Sequence, residues 1–181
     1  MSDEELIKAV LRGNTEAFRE LVKRYEPRIA ATIIGMLGQC PEAEDVGQET
    51  FIRFYKNLRN FRGDSSVGTY LTRIAINLSL NEIKRRKRRQ TFFKRESNEV
   101  CNIPDEKTSR AYDDEKELVH WAIQKLEPKF RTVIILRLID GYSTSETAEI
   151  LGLPLGTVLS RLARAQQKLK EILLPYMGEK I

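Results

Sequence analysis

Apolar residues step by threes and fours through two long blocks of this chain, which is the spacing of one buried helical face. Phe18, Leu21, Val22, Tyr25, Ile29 and Ile33 follow it early; Val158, Leu162, Ala165, Leu169 and Ile172 follow it near the end. Glycines and prolines punctuate these runs where helices start or stop. With 41% of its 181 residues hydrophobic, the chain can build real cores and is not a disordered one. Between the blocks, residues 90–114 hold few aliphatic side chains, one proline (Pro104) and no sustained period, a linker by composition. The expectation is an all-α protein of two small helical domains joined by a flexible linker. The N-terminal helical bundle takes residues 1–90, the linker 91–112, and a C-terminal helix-turn-helix domain 113–181.

Local signals place the helices. Ser2 with Glu5 three residues on makes a capping box for a first helix ending near Gly13. Thr15 is a cap for the second, and Pro27 inside its pattern should kink or split it. Pro41 is a good first residue for a third helix, which carries Val46, Phe51, Phe54 and Leu58 toward a core. Loop formers crowd residues 60–66, and a long fourth helix comes next over about 67–89. In the second block, Leu118, Val119, Ala122, Ile123 and Leu126 make one amphipathic face. Pro128 opens the next helix, with Phe130, Val133, Ile134 and Leu138 inside and Gly141 at its end. Ser143 and Glu146 make another capping box, for a short helix to Leu151; Gly152 turns the chain into a last helix over about 155–174.

The fourth helix carries two stripes. Val67, Leu71, Ile74 and Leu78 form a buried one. Tyr70, Arg73, Asn77, Asn81 and Lys84 form a second, about 100° round the helix. An aromatic among hydrogen-bonding and cationic residues suits an unpaired base stacked beside a phosphate track. The helix then ends in six consecutive basic residues, 84–89. Such a run alone also fits a solvated tail or an anionic-lipid contact.

The spacing of Ala148, Gly152 and Val158 is what a helix-turn-helix requires: a small residue for close approach, a turn glycine, and a β-branched filler between the helices. Thr157, Arg161, Arg164 and Lys168 then share the outer face of the last helix. The N-terminal part of such a helix enters the major groove, which puts Thr157, Ser160 and Arg161 at base edges and Arg164 and Lys168 nearer phosphates. The net charge of +5 agrees with a nucleic-acid partner.

Other chemistry is poorly supplied. Cys40 and Cys101 are far apart and make no CxxC pattern, so a disulfide framework is not expected and a reducing compartment is favoured. One histidine, His120 beside Trp121, and two scattered cysteines do not make a metal site, and no glycine-rich phosphate loop occurs. The acidic start, Ser2-Asp3-Glu4-Glu5, precedes no long apolar run, so neither a signal peptide nor a membrane span is expected. These features predict a cytoplasmic protein with no cofactor, no metal, no catalytic residue and no small-molecule substrate.

Two stretches then resemble one family. Ala43-Glu44-Asp45-Val46-Gly47-Gln48-Glu49-Thr50-Phe51-Ile52, with Asn60-Phe61-Arg62-Gly63-Asp64-Ser65 and Thr69-Tyr70-Leu71-Thr72-Arg73-Ile74-Ala75-Ile76-Asn77-Leu78, resembles the second conserved region of extracytoplasmic-function sigma factors. Leu126-Glu127-Pro128 through Leu136, Gly141-Tyr142-Ser143 and Leu153-Pro154-Leu155-Gly156-Thr157-Val158-Leu159-Ser160-Arg161-Leu162 resemble their fourth region. The resemblance implies a promoter-specificity subunit of bacterial RNA polymerase. It implies that Asp45, Gln48, Glu49, Phe51, Ile52 and Tyr55 dock on the clamp helices of the polymerase β′ subunit. The loop with Phe61, Arg62, Asp64 and Ser65 would capture a flipped base of the −10 element, at a cost of a few kcal/mol that its contacts must offset. Tyr70, Arg73, Asn77, Asn81 and Lys84 would hold the opened strand, while Thr157, Ser160, Arg161, Arg164 and Lys168 would read the −35 duplex. A β-flap contact and an inhibitory anti-sigma factor are further implied partners. Two positions depart from the family pattern: Tyr70 stands where many relatives carry tryptophan, and Leu159 where many carry a basic residue.

A linker of this length spans at most roughly 70–80 Å, about two duplex turns, so two modules can engage separate DNA elements at once. The competing reading is a helix-turn-helix regulator that binds duplex without being a polymerase subunit. A membrane-associated helical protein would draw only on the basic run and the amphipathic faces.

Overall fold

The structure, a computed structural model, describes residues 1–96 and 115–177. All the regular structure among the described residues is helical. Four helices, α1 (Asp3–Leu11), α2 (Thr15–Leu37), α3 (Pro41–Asn57) and α4 (Val67–Glu96), form the N-terminal body, with a 3₁₀ turn at Leu58–Asn60. The C-terminal body holds α5 (Glu115–Lys125), α6 (Pro128–Ile134), a π-type turn at Ile135–Ile139, α7 (Thr144–Leu151) and α8 (Leu155–Met177).

Both capping boxes form. Ser2 Oγ accepts from the Glu5 amide while Glu5 returns to the Ser2 amide at 2.7 Å, and Ser143 and Glu146 repeat the arrangement at the head of α7. At α2, however, the cap is Asn14, whose Oδ1 accepts from Ala17 N at 3.2 Å; Thr15 is the first helical residue. Pro27 does not split α2, which runs unbroken through it. The carbonyl its missing N–H deprives belongs to Lys23, and both residues face solvent, where water replaces the lost bond.

In the N-terminal body α2, α3 and α4 pack around Phe54, Leu21, Ile29, Ile33, Met36 and Leu71, all nearly free of solvent. Burying a side chain the size of Phe54 contributes about 1.5–3 kcal/mol. Asp3 ties α1 to α2, taking Arg24 Nη1 at 2.6 Å and the Tyr25 hydroxyl. Burial first, then this carboxylate, push the Tyr25 phenol up to about 12. In the second body α6 and α8 enclose Val133, Ile134, Val158 and Ala165.

Two residues expected inside face out. Val119 is exposed on α5, one turn before the buried Ala122 and Ile123 on the same helix face. Leu138 is 53% exposed because the helix widens before it, with Asp140 N bonding Ile135 O across five residues at 2.8 Å. The extra residue in that turn rotates the succeeding side chains by about 100° relative to an unbroken helix. α4 also outruns its expected end near residue 89 and takes in 91–96, part of the expected linker; Gln90 and Thr91 supply no breaker. Residues 97–112, the rest of that linker, and Cys101 lie outside the described residues.

The two bodies share one continuous core. The Tyr142 and Thr72 hydroxyls share a hydrogen bond of 2.8 Å, and the Arg28 guanidinium lies 4.4 Å from the Tyr142 ring centre. Thr32 donates to Asp140 at 2.8 Å, Gln124 donates to the carbonyls of Ile34 and Gly35, and Arg131 donates to Met36 O. This packing explains why α4 is buried over a wider arc than its apolar stripe: Thr72, Ile76 and Ser79 are covered as well as Val67, Leu71 and Leu78.

Candidate nucleic-acid interface

The head of α4 is built from the loop that precedes it. Gly63 adopts φ 77°, a left-handed conformation that favours glycine, and lets the chain double back. Ser66 Oγ accepts from Thr69 N at 3.1 Å and so caps the helix. This turn sets Phe61 against Tyr70 edge to face at 5.2 Å, with both rings resting on buried Phe54 at 6.2 and 6.0 Å. The two aromatics that spacing put on separate elements thus form one half-buried platform. Arg62 and Asp64 stand exposed beside it, with Ser65 partly covered.

Along α4 the expected stripe is present but unequally accessible. Asn77, Asn81 and Lys84 are less covered than the aromatic platform's Phe54, with Asn77 and Asn81 open to solvent and Lys84 exposed at the far end. Arg73 is engaged by α7: its Nη2 lies 3.1 Å from Glu149 Oε1 and 3.2 Å from Glu149 O. Nothing in the sequence of α7 marks Glu149 as the partner of an arginine 76 positions away, and periodicity does not reach it.

Elsewhere on the body, α2 and α3 bound a groove of about 1010 Å³ lined by Val22, Glu26, Ile29, Gln48, Phe51 and Ile52 among others. Of the residues expected to meet a protein partner, the groove brings together Gln48, Phe51 and Ile52. It does not include Asp45, Glu49 or Tyr55. Glu49 pairs with Arg53 at 2.7 Å, and Tyr55 packs on Phe18 at 4.9 Å.

In the C-terminal body Gly152 takes φ 62° between α7 and α8, and Val158 fills the space between the two helices with no exposure. Ser160 is exposed, its hydroxyl donating to Thr157 O at 3.0 Å. Arg161 is partly covered and Arg164 is open, and neither has an ion pair among the described residues. Lys168 sits apart from them, 3.7 Å from Glu127 and 5.5 Å from the Phe130 ring centre. Leu159 and Leu155 stand 49% and 50% exposed on the same helix, an apolar pair among the polar side chains.

The sequence matches Sigma-70 region 2 over residues 21–89 and Sigma-70, region 4 over residues 116–169, the stretches that hold the α4 stripe and the helix-turn-helix. The chain belongs to the sigma-70 family. Its branch is the extracytoplasmic-function one. It is 34% identical to ECF RNA polymerase sigma factor SigW of Bacillus subtilis, across 91% of this chain and 93% of the relative. RNA polymerase sigma-H factor of Pseudomonas aeruginosa is 35% identical, across 98% and 96%. Among solved structures, CnrH in complex with the cytosolic domain of CnrY superposes with a TM-score of 0.69 at 27% identity, covering 94% of this chain and 96% of that one.

The sigma factor is thus a promoter-specificity subunit of RNA polymerase, binding core enzyme and promoter DNA to initiate transcription. Its family is not an enzyme class. No helix among the described residues is long and apolar enough to cross a membrane.

Proposed function

We propose that this sigma factor divides its work between the two bodies, with functional modules at residues 1–90 and 113–181. The α2–α3 groove takes the β′ clamp helices of core polymerase through Gln48, Phe51 and Ile52, with Asp45, Glu49 and Tyr55 at its margin. Phe61, Arg62, Asp64 and Ser65 receive a base flipped from the −10 element; Tyr70, Arg73, Asn77, Asn81 and Lys84 hold the opened strand. The observation that carries this reading is the Phe61–Tyr70 platform on Phe54, an aromatic surface packed on a buried ring at the head of a polar and cationic stripe. Unpaired bases stack on such surfaces for about 1–3 kcal/mol each.

The C-terminal body grips the −35 duplex with Thr157, Ser160 and Arg161 at base edges and Arg164 and Lys168 toward phosphates, and meets the β flap. Glu149 holds Arg73 where a phosphate would otherwise lie, so strand capture requires α7 to move away from α4. The protein catalyses no reaction itself and works in the cytoplasm. The similarity to CnrH, solved with a cytosolic partner domain, supports an inhibitory anti-sigma partner here too.

Transcription in vitro with core polymerase over a randomised promoter library tests the reading. Enrichment of a bipartite sequence is expected, its downstream half losing selectivity in Tyr70→Ala. Transcripts no different from those of core enzyme alone would overturn it.

A further inference from the structure

The exposed side of α8 is divided lengthwise. At 3.6 residues per turn, Leu155, Leu159 and Ala163 fall within about 80° of arc. All three are open to solvent, the two leucines half exposed and one turn apart. Thr157, Arg161, Arg164 and Lys168 fall within about 60° of arc on the far side, with Ser160 between the two groups. The remaining arc is buried, through Val158 and Ala165. The helix thus presents an apolar edge, a hydroxyl and a cationic edge side by side.

One exposed leucine is ordinary on a protein surface. Two aligned at the head of the second helix of a helix-turn-helix lie where the duplex enters. The cationic edge suits one phosphate backbone, and the apolar edge then faces the other side of the same groove, where a phosphate has nothing to bind. The major groove presents ring nitrogens, carbonyl oxygens, amino groups and one apolar feature, the C5-methyl of thymine. Only that methyl matches a leucine. Against cytosine N4 or guanine O6, the same side chain strips water and returns no hydrogen bond, which penalises G·C pairs. From Leu155 to Leu159 the helix rises about 6 Å, close to two base steps of about 3.4 Å, so the edge covers a single step fully.

We propose that Leu159 is a specificity-determining residue for the upstream promoter element, selecting thymine at one position through its C5-methyl, with Leu155 widening the apolar wall beside it. The assignment rests on the −35 reading proposed for α8 and adds to it the identity of a base that no polar residue of the helix specifies.

The test uses the full chain bound to core polymerase, as parent, Leu159→Met and Leu159→Gln. Both substitutions place a good helix former of similar length at an exposed position, so folding is not at stake. Each holoenzyme selects upstream elements from a randomised promoter library. Parent and Leu159→Met should enrich thymine at one common position, and Leu159→Gln should not. That thymine is then replaced by uracil, which removes the methyl group alone. Parent affinity should fall about fourfold, the worth of one buried carbon group, while Leu159→Gln should be indifferent to the change. Enrichment of other bases without thymine, or equal losses on uracil DNA for parent and Leu159→Gln, would overturn the assignment. So would a Leu159→Gln chain that selects the parental element but binds core polymerase more weakly without DNA, since the apolar edge would then face protein. Failure of the underlying −35 reading shows separately, as a parent holoenzyme that enriches no base at all in the upstream element.

Discussion

Arg131 is largely buried in the middle of the molecule with no carboxylate partner among the described residues, and its guanidinium closes the ends of two helices. It donates to Met36 O at the end of α2 and to Gln124 O and Leu126 O where α5 stops. Burial first, then the charge of Arg86, hold its pKa below the ordinary guanidinium value. A cation suits helix C-termini, whose last carbonyls lack partners and carry partial negative charge. Arg131→Met keeps bulk but strips three carbonyls of their donor, so a loss of about 2–4 kcal/mol in urea unfolding is expected. A loss below about 0.5 kcal/mol would mean that packing alone matters there. No sequence pattern marks Arg131, which reads as one more polar residue on an amphipathic helix. Asp140 carries a second prediction at this scale. Burial raises its pKa, against the smaller opposing effects of Thr32 and Arg28. The folded chain therefore holds that proton more tightly than the unfolded chain. Its stabilising effect is complete below the ordinary value of 3.8 and is lost as pH rises through the higher folded value. Asp140→Asn, which keeps an acceptor for Thr32, should melt higher than the parent at pH 7 and equal it near pH 3. A variant that melts lower at pH 7 would show that the charge is useful.

Elements differ in how openly their residues announce them. The boxes Ser2–Glu5 and Ser143–Glu146 are local, so each is legible from four residues and each forms as its spacing predicts. So does the turn at Gly152, and with it the helix-turn-helix. Ser143→Ala should cost about 1 kcal/mol of stability in chemical denaturation and raise amide exchange first in α7. Uniform exchange across both bodies would instead mark α7 as part of a single cooperative unit. The π-type turn at Ile135–Ile139 is not legible, because Ile-Leu-Arg-Leu-Ile reads as plain amphipathic helix and only Asp140 N reaching back to Ile135 O reveals the extra residue. The same limit explains Leu138. At the candidate site, the stripe from Tyr70 to Lys84 comes from periodicity, whereas the pairing of Phe61 with Tyr70 depends on how the Gly63 turn closes and has no counterpart in spacing.

At the scale of the whole molecule, contacts across distant sequence decide the arrangement, and those are invisible to periodicity. Gly35 shows why. A Cβ built there would sit 3.1 Å from Ile135 Cδ1 and 3.3 Å from its Cγ1, so the bare glycine is what lets the two bodies close on each other. The glycine is helical and buried within α2, and by spacing alone it looks like a weak point in a helix rather than a contact between domains. An alanine there asks a few tenths of an ångström from the buried Ile135 side chain. A leucine has no room. Gly35→Leu should leave each body folded, since the added side chain projects between them, yet it should break the links from Gln124 to Gly35 O and from Tyr142 to Thr72. A compact chain of this length has a radius of gyration of about 16 Å. Small-angle scattering of Gly35→Leu should show a rise of several ångströms at unchanged helical circular dichroism, and Arg73, no longer held by Glu149, should bind single-stranded −10 DNA more tightly than in the parent. An unchanged radius with unchanged helicity would mean that the core repacks around the leucine and that the closed arrangement does not depend on Gly35.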